Sequence, residues 1–416
     1  MIYIVFSKRE ELLIHRIGVK EIQQYAHLKD FVPFLHERGT VVTVRDAQRE
    51  IKPIYKLLQY LGQPCVYLFF SPPDGPYSRI ACPKIFIAPI DKDAAHPISE
   101  EGIRKSVAGI TFSQEALETL EVEGSEEVLL KCIPPPIWDK FHHLHDPQHI
   151  DQSSLFTVGT NGNILDTDIP SLQPDRITFN IPLTSRLHSI ISAAIYYKTD
   201  IYGLRQHIGK RRRDRYFATD IELSKIVYTA VINPKHRHKD WRNLILTFAK
   251  TFVANPDATL VIKMVGVVSH KIRRAAIKLL RKLSVQCRII VIFCHLSEDQ
   301  YKSLIQATTY VINASANQEF GSSILEFMSA GKPAIGNNLD RPSLMNQGNA
   351  FLTDKLATQL TQSYQLAMLQ PDRYRHMSEN ATHTLQSYCS KAAVEPQFHA
   401  FMDAVETKLL EEKNDI

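Results

Sequence analysis

A chain of 416 residues is long enough for two or three domains, each burying its own core. Apolar residues at 44% and charged residues at 22% exclude collagenous, disordered and coiled-coil classes. The formal charge of +5 is concentrated in Lys210–Arg215 (KRRRDR), five cations and one acid, which leaves the remainder nearly neutral.

The first half alternates short apolar runs with helical stretches. Strands are predicted over Ile2–Phe6, Val41–Val44, Cys65–Phe70, Lys84–Pro89, Gly109–Phe112 and Val128–Ile133, and helices over Lys20–Leu35, Pro53–Leu61 and Gln114–Leu120. Met1–Ser7 is too short for a signal-peptide core and has no basic leader, so it reads as a first buried strand. Ser113 followed by Gln114 and Glu115 has the chemistry of a helix N-cap with an early acid. Pro134, Pro135 and Pro136 end the last strand and open a His-rich stretch. Residues 1–145 are therefore expected to form one Rossmann-like domain. Residues 146–222, with Asp166, Asp168, the apolar segment Leu187–Tyr197 and the basic run, match neither half and read as an insertion near the interdomain cleft.

The second half is clearer. Strands are predicted over Ile226–Ile232, Thr259–Gly266, Arg288–Cys294, Tyr310–Ser315 and Pro333–Asn337. Helices fall over Asp240–Ala254, Ser269–Leu283, Ser297–Ala307 and Ser323–Ala330. Ile272, Ala276, Leu279, Leu280 and Leu283 recur with helical period. Strands without internal alternation, joined by crossover helices, describe a parallel sheet covered on both faces. This predicts a second Rossmann-like domain over 223–385, with residues 386–416 crossing back as a helix onto the first. Six cysteines without a CxxC or zinc spacing suggest free thiols in a reducing cytoplasm. No run of ~18 apolar residues is present, so no segment is expected to span a membrane.

The densest chemical signal is Ala314–Gly336 (ASANQEFGSSILEFMSAGKPAIG). It starts at a strand's C-terminal end, where open α/β sheets bind ligands. Gly321 lets the backbone approach a ligand closely. Ser322 and Ser323 open a helix whose free N–H groups suit a diphosphate. Glu326, one turn further, is placed to accept hydrogen bonds from a ribose diol, and Glu319 to reach a sugar beyond the phosphates. Glu319 and Glu326 also fit an ordinary helix start.

EFGSSILEFMSAGKPAI resembles the carboxy-terminal signature of retaining glycosyltransferases of the two-Rossmann-domain (GT-B) type, family 4-like, also called glycosyl transferases group 1. The resemblance covers most of 226–338 and, more faintly, 83–141. It implies a nucleotide diphosphate sugar held by the second domain, an acceptor held by the first, and retention at the anomeric centre. Glu326 corresponds to the family's ribose-binding glutamate, and Phe320, Gly321, Ser322 and Ser323 to its phosphate turn. Gln318 stands where the family has its first glutamate, and Glu319 where it usually has glycine. Either Glu319 supplies the carboxylate from a shifted loop or Gln318 meets the sugar hydroxyls as an amide. In the loop Asn233–Asn243, Lys239 matches the family lysine that offsets leaving-group charge. The usual arginine falls near Asn233, so Arg237 or Lys235 would substitute. His295 and Leu296 take the place of the family's base-contacting loop. Asp91 and His96 lie where it sometimes puts an acceptor-side acid or histidine.

No cofactor is expected beyond the donor substrate, and no metal: the phosphates have a helix N-terminus and Lys239, and the DxD pairs at Asp91/Asp93 and Asp166/Asp168 read as chance. The absence of GxGxxG after a strand and of a Walker loop argues against a dehydrogenase and an ATPase. Lys210–Arg215 lacks interleaved aromatics, which argues against nucleic acid and for an anionic membrane or lipid-diphosphate partner. The expectation is a cytoplasmic hexosyltransferase, peripheral at the inner face of the membrane. It would act on a glycan or lipid-linked acceptor in bacterial surface polysaccharide or glycoconjugate synthesis. The alternatives are a catalytically inactive nucleotide-sugar or glycan-binding module of the same fold, and an epimerase of similar fold that needs no acceptor.

Overall fold

The computed structural model describes residues 1–6, 30–44, 47–70, 81–88, 100–112, 114–121, 127–146, 154–159, 164–168, 218–223, 225–234, 241–265, 268–294, 296–313, 322–336, 346–352 and 355–414. Its first sheet contains β1 (Ile2–Phe6), β2 (Thr40–Val44), β3 (Cys65–Phe70), β4 (Lys84–Ala88), β5 (Ala108–Thr111) and β6 (Leu129–Cys132). They lie in the order β2-β1-β3-β4-β5-β6, with every pair parallel. Successive residues of β1 serve opposite faces, as a pleated strand requires. Tyr3 and Val5 pack with Phe31, Phe34 and Leu35 of helix α1 (residues 30–38). Ile4 packs with Ile51 of helix α2 (Ala47–Tyr60).

Helix α2 begins six residues before the position expected from Pro53, which lies inside it. A mid-helix proline removes one hydrogen bond, but Ile51, Ile54, Tyr55 and Leu58 fall on one face and pack on the sheet, and that burial prevails. Short helices α3 (Glu100–Arg104) and α4 (Gln114–Glu121) follow, and after the proline triplet comes α5 (Trp138–Phe141).

Part of the 146–222 region joins the second domain. β7 (Ser154–Gly159) and β9 (Ala218–Leu223) form an antiparallel ribbon. β8 (Ile164–Asp166) is the antiparallel edge strand of the second sheet, paired with β12 (Arg288–Ile292). The other members are β10 (Ile226–Ile232), β11 (Ala258–Met264), β13 (Tyr310–Ile312), β14 (Ala334–Gly336) and β15 (Ala350–Leu352), in the order β15-β14-β13-β10-β11-β12-β8. Without β8 this is the doubly wound dinucleotide-binding order, with its reversal between β10 and β13.

Its helices are α6 (Trp241–Thr251), α7 (His270–Leu280), α8 (Glu298–Ala307), α9 (Ser322–Ser329), α10 (Leu356–Leu369) and α11 (Pro371–Cys389). One core layer holds Leu304, Ile305, Ile324, Leu325 and Leu385, from α8, α9 and α11, against the β10–β12 face. The opposite layer holds residues of α6, α7 and α10 around Tyr228, Tyr310 and Tyr374. The final helix, α12 (Lys391–Asn414), leaves this domain: Val394, Phe398, Phe401, Met402 and Val405 complete the core of the first sheet beside Tyr3 and Val5. All six cysteines are free thiols. Among the described residues no helix is long and apolar enough to cross a membrane.

Candidate functional site

β10 leads into Asn233 and Pro234, and β13 into Asn313, whose backbone N–H donates to the Ile335 carbonyl at 2.8 Å. The strand order reverses between these two strands, and the C-terminal ends at such a reversal are where open α/β sheets take their ligands. α9 starts there at Ser322 and packs against β13. Its apolar residues Ile324, Leu325, Phe327 and Met328 are buried, which holds its axis fixed. Glu326 is left half-buried, one turn from the N-terminus.

A tyrosine fixes that carboxylate. Tyr301 of α8 donates its hydroxyl to Glu326 Oε2 at 2.5 Å, and its ring meets Phe327 edge-on, with centroids 6.0 Å apart. Burial first, and the facing Glu326 carboxylate second, push the Tyr301 phenol well above its ordinary pKa, so it remains a donor. Tyr301 is itself placed by a capping box. Ser297 Oγ accepts from Gln300 N at 3.2 Å while Gln300 Oε1 accepts from Ser297 N at 2.9 Å, which fixes the start of α8 at Glu298. A carboxylate oriented in this way accepts hydrogen bonds from a vicinal diol, beside helix N–H groups suited to an anion.

The far end of α9 is locked as well. Gly331 adopts φ +72°, and the His145 ring stands where a side chain would project. Ser378 Oγ donates to the Gly331 carbonyl at 2.5 Å and lies 3.0 Å from His145 Nε2. Because the hydroxyl hydrogen is committed to Gly331, the imidazole donates to Ser378. Burial, then the nearby Lys332 charge, lowers the His145 pKa and keeps the ring neutral.

No protein-family model and no curated protein sequence matches the chain. Solved structures do. It is similar to HepE from Anabaena in complex with UDP and glucose, at 12% identity and TM-score 0.51, covering 97% of this chain and 100% of that one. It is similar to sucrose-phosphate synthase from Thermosynechococcus elongatus at 10% identity and TM-score 0.55, covering 98% and 99%. A glycosyltransferase from Rickettsia africae ESF-5 matches at 12% identity and TM-score 0.50, covering 98% of each chain. The fold is GT-B.

Within that fold the sequence-derived residues divide sharply. Ser322 and Ser323 open α9, with Glu326 one turn on. Leu296 is buried in the core layer with Ile292, Leu304 and Ile324, so its side chain is core and does not contact a ligand. Asp166 is buried and bidentate with Arg288: Nε to Oδ1 is 3.1 Å and Nη2 to Oδ2 is 2.7 Å. That carboxylate anchors β8 to β12. Lys235, Arg237, Lys239, His295, Gln318, Glu319, Phe320, Gly321, Asp91, His96 and the Lys210–Arg215 run lie outside the described residues.

Two residues at this edge carry no functional signal in the motifs. Tyr301 looks like one more member of α8's apolar stripe, and only the packing of α8 on α9 brings it to Glu326. Lys263 interrupts the apolar run of β11, and a lysine inside a fully buried strand is a signal that residue type alone makes visible.

Proposed function

We propose that this protein is a retaining, metal-independent glycosyltransferase that moves a hexose from a nucleotide diphosphate sugar to a glycan or lipid-linked acceptor. The observation that carries the reading is the Tyr301–Glu326 pair one turn into α9, at the strand-order reversal of a GT-B fold. Glu326 would hold the ribose diol and the α9 N-terminus the diphosphate. Lys239, with Arg237 or Lys235, would offset charge on the departing nucleotide. Gln318 or Glu319 would contact the sugar. The UDP and glucose bound by the similar Anabaena protein support a nucleotide-sugar donor. The work proposed for it belongs to surface polysaccharide or glycoconjugate synthesis in a bacterium.

The test is a panel of UDP-, GDP- and ADP-sugars scored for nucleotide release with and without EDTA, alongside calorimetry of the free nucleotides. One donor should turn over in EDTA, and Glu326→Ala should weaken its nucleotide by about tenfold or more, the loss expected for hydrogen bonds to a charged group. Unchanged affinity in Glu326→Ala would refute the ribose assignment, and turnover abolished by EDTA would refute metal independence. Lys210–Arg215 is proposed to touch an anionic membrane surface, each cation there contributing about 1 kcal/mol. Replacing Lys210–Arg213 by alanine should reduce sedimentation with anionic liposomes; equal sedimentation removes the membrane role.

A further inference from the structure

Every residue of β11 is buried, and one of them is a lysine. Lys263 pairs in register with Val231 of β10 and with Ile292 of β12. In-register neighbours on parallel strands share a face. Ile292 belongs to the core layer beneath α8 and α9, and Val231 and Tyr301 pack against the same layer. Lys263 therefore lies on the Tyr301–Glu326 side of the sheet, one residue from the C-terminal end of β11. That is the edge where such sheets take their ligands.

Lys263 is 7% exposed. Its Nζ donates to the Met264 carbonyl at 3.0 Å and to the Cys294 carbonyl at 2.6 Å. Among the described residues no carboxylate forms an ion pair with it. Two neutral carbonyls satisfy two of three N–H donors but supply no counter-charge, and a buried ammonium left in that state is destabilising. Burial accordingly lowers its pKa to about 8. A core lysine without an acid is a poor choice for stability alone, since an apolar residue of the same length would fill the space without that cost. An anion bound at this edge would supply the counter-charge that the two carbonyls lack.

We propose that Lys263 is a donor-binding residue, its ammonium receiving the phosphate charge of the bound nucleotide while its bonds to Met264 and Cys294 hold the ends of β11 and β12 in place. This rests on the nucleotide-sugar reading above and adds a cation outside the loop after β10. It also predicts a trade between binding and stability.

Calorimetry with UDP, GDP and ADP on the wild-type protein, Lys263→Met and Lys263→Gln tests it, together with ligand-free melting and melting in high concentrations of the matching nucleosides. Lys263→Met should melt at or above the wild-type temperature without ligand. It should bind the preferred diphosphate about tenfold more weakly or worse, as loss of a charge-assisted bond requires, yet gain as much stability from the nucleoside as the wild type does. Lys263→Gln should show the same selective loss and guards against a packing artefact in the Met variant. A folded Lys263→Met protein with unchanged diphosphate affinity overturns the proposal. So does an equal loss for nucleoside and diphosphate, which would mark Lys263 as purely structural. If the wild type binds none of the three diphosphates, the nucleotide-sugar reading itself falls and this inference falls with it.

Discussion

Lys332 is 1% exposed, at the turn between α9 and β14, and donates to the Gln306 carbonyl at 3.2 Å. Burial lowers its pKa from 10.5 to about 7, partly opposed by the Asp146 charge, and its own charge helps to lower the pKa of His145 beside it. The sign follows from linkage. Below pH 7 both folded and unfolded chains hold the proton, and the folded state bears the full cost of a buried cation. Between about pH 7 and 10.5 the unfolded chain holds a proton that the folded one has released, so stability rises with pH across that window. Lys332→Met should therefore be most stabilising near pH 6.5 and progressively less so toward pH 9.5, read as urea midpoints. A gap between variant and wild type that does not change with pH would contradict the assignment. Lys263 and Lys332 thus differ in place: one lies near the C-terminal end of β11, the other beneath the turn that ends α9.

At the scale of elements, β8 shows how a segment without a strong local signal becomes part of a sheet. It has three residues, pairs antiparallel at the edge, and is held by the bidentate Asp166–Arg288 pair. Thr167 adds a second clamp: its backbone N–H donates to the Ile289 carbonyl at 3.1 Å and its Oγ1 accepts from Ile289 N at 2.9 Å. Asp166→Ala would leave a largely buried guanidinium without its bidentate acid. It should lower unfolding stability by about 3 kcal/mol, measured by urea denaturation, the usual penalty for removing one partner of a buried pair. A loss under about 1 kcal/mol would show that the pair is no better than a surface bridge. Residues 146–222 have no periodicity to place them. β8 is too short for a pattern, and both acids beside it face Arg288, whose Nε lies 3.5 Å from Asp168 Oδ2.

For the molecule as a whole, α12 joins the end of the chain to its beginning. Phe398 stacks on Phe31 at 5.2 Å and tilts against Phe34 at 5.6 Å. A polar clasp surrounds them. Arg38 pairs with Asp403 and Glu406, and Tyr3 donates to Glu406 Oε1 at 2.6 Å, with burial and that acid raising the Tyr3 pKa to about 12. Phe398→Ala should destabilise the first sheet by about 3–5 kcal/mol, as core aromatic truncations do. Hydrogen exchange should show faster opening of α12 and β1 with protection of β10–β13 unchanged. Equal loss in both sheets would mean that they unfold as one unit.

Much of this architecture is legible in the amino-acid sequence by itself. Continuous β-branched runs at regular spacing, with 3.6-residue periodicity between them, mark the parallel strands of two sheets, and β1, β3 and β10 fall on the residues that this pattern marks. Ser322 and Ser323 opening a helix with Glu326 one turn inside follow from local capping chemistry and helical rise. What only the tertiary structure decided depends on distance in sequence. Tyr301 reaches Glu326 across 25 positions, Arg288 reaches Asp166 across 122, and Trp138 Nε1 donates to Thr382 across 244. Leu296, adjacent to a loop by sequence, is core because α8 and α9 close over it. Local periodicity records which face of an element is apolar, but it carries no record of which element covers that face. That depends on the summed burial of the whole chain, and so the partners of Glu326, Asp166 and Lys263 appear only once the sheets are packed.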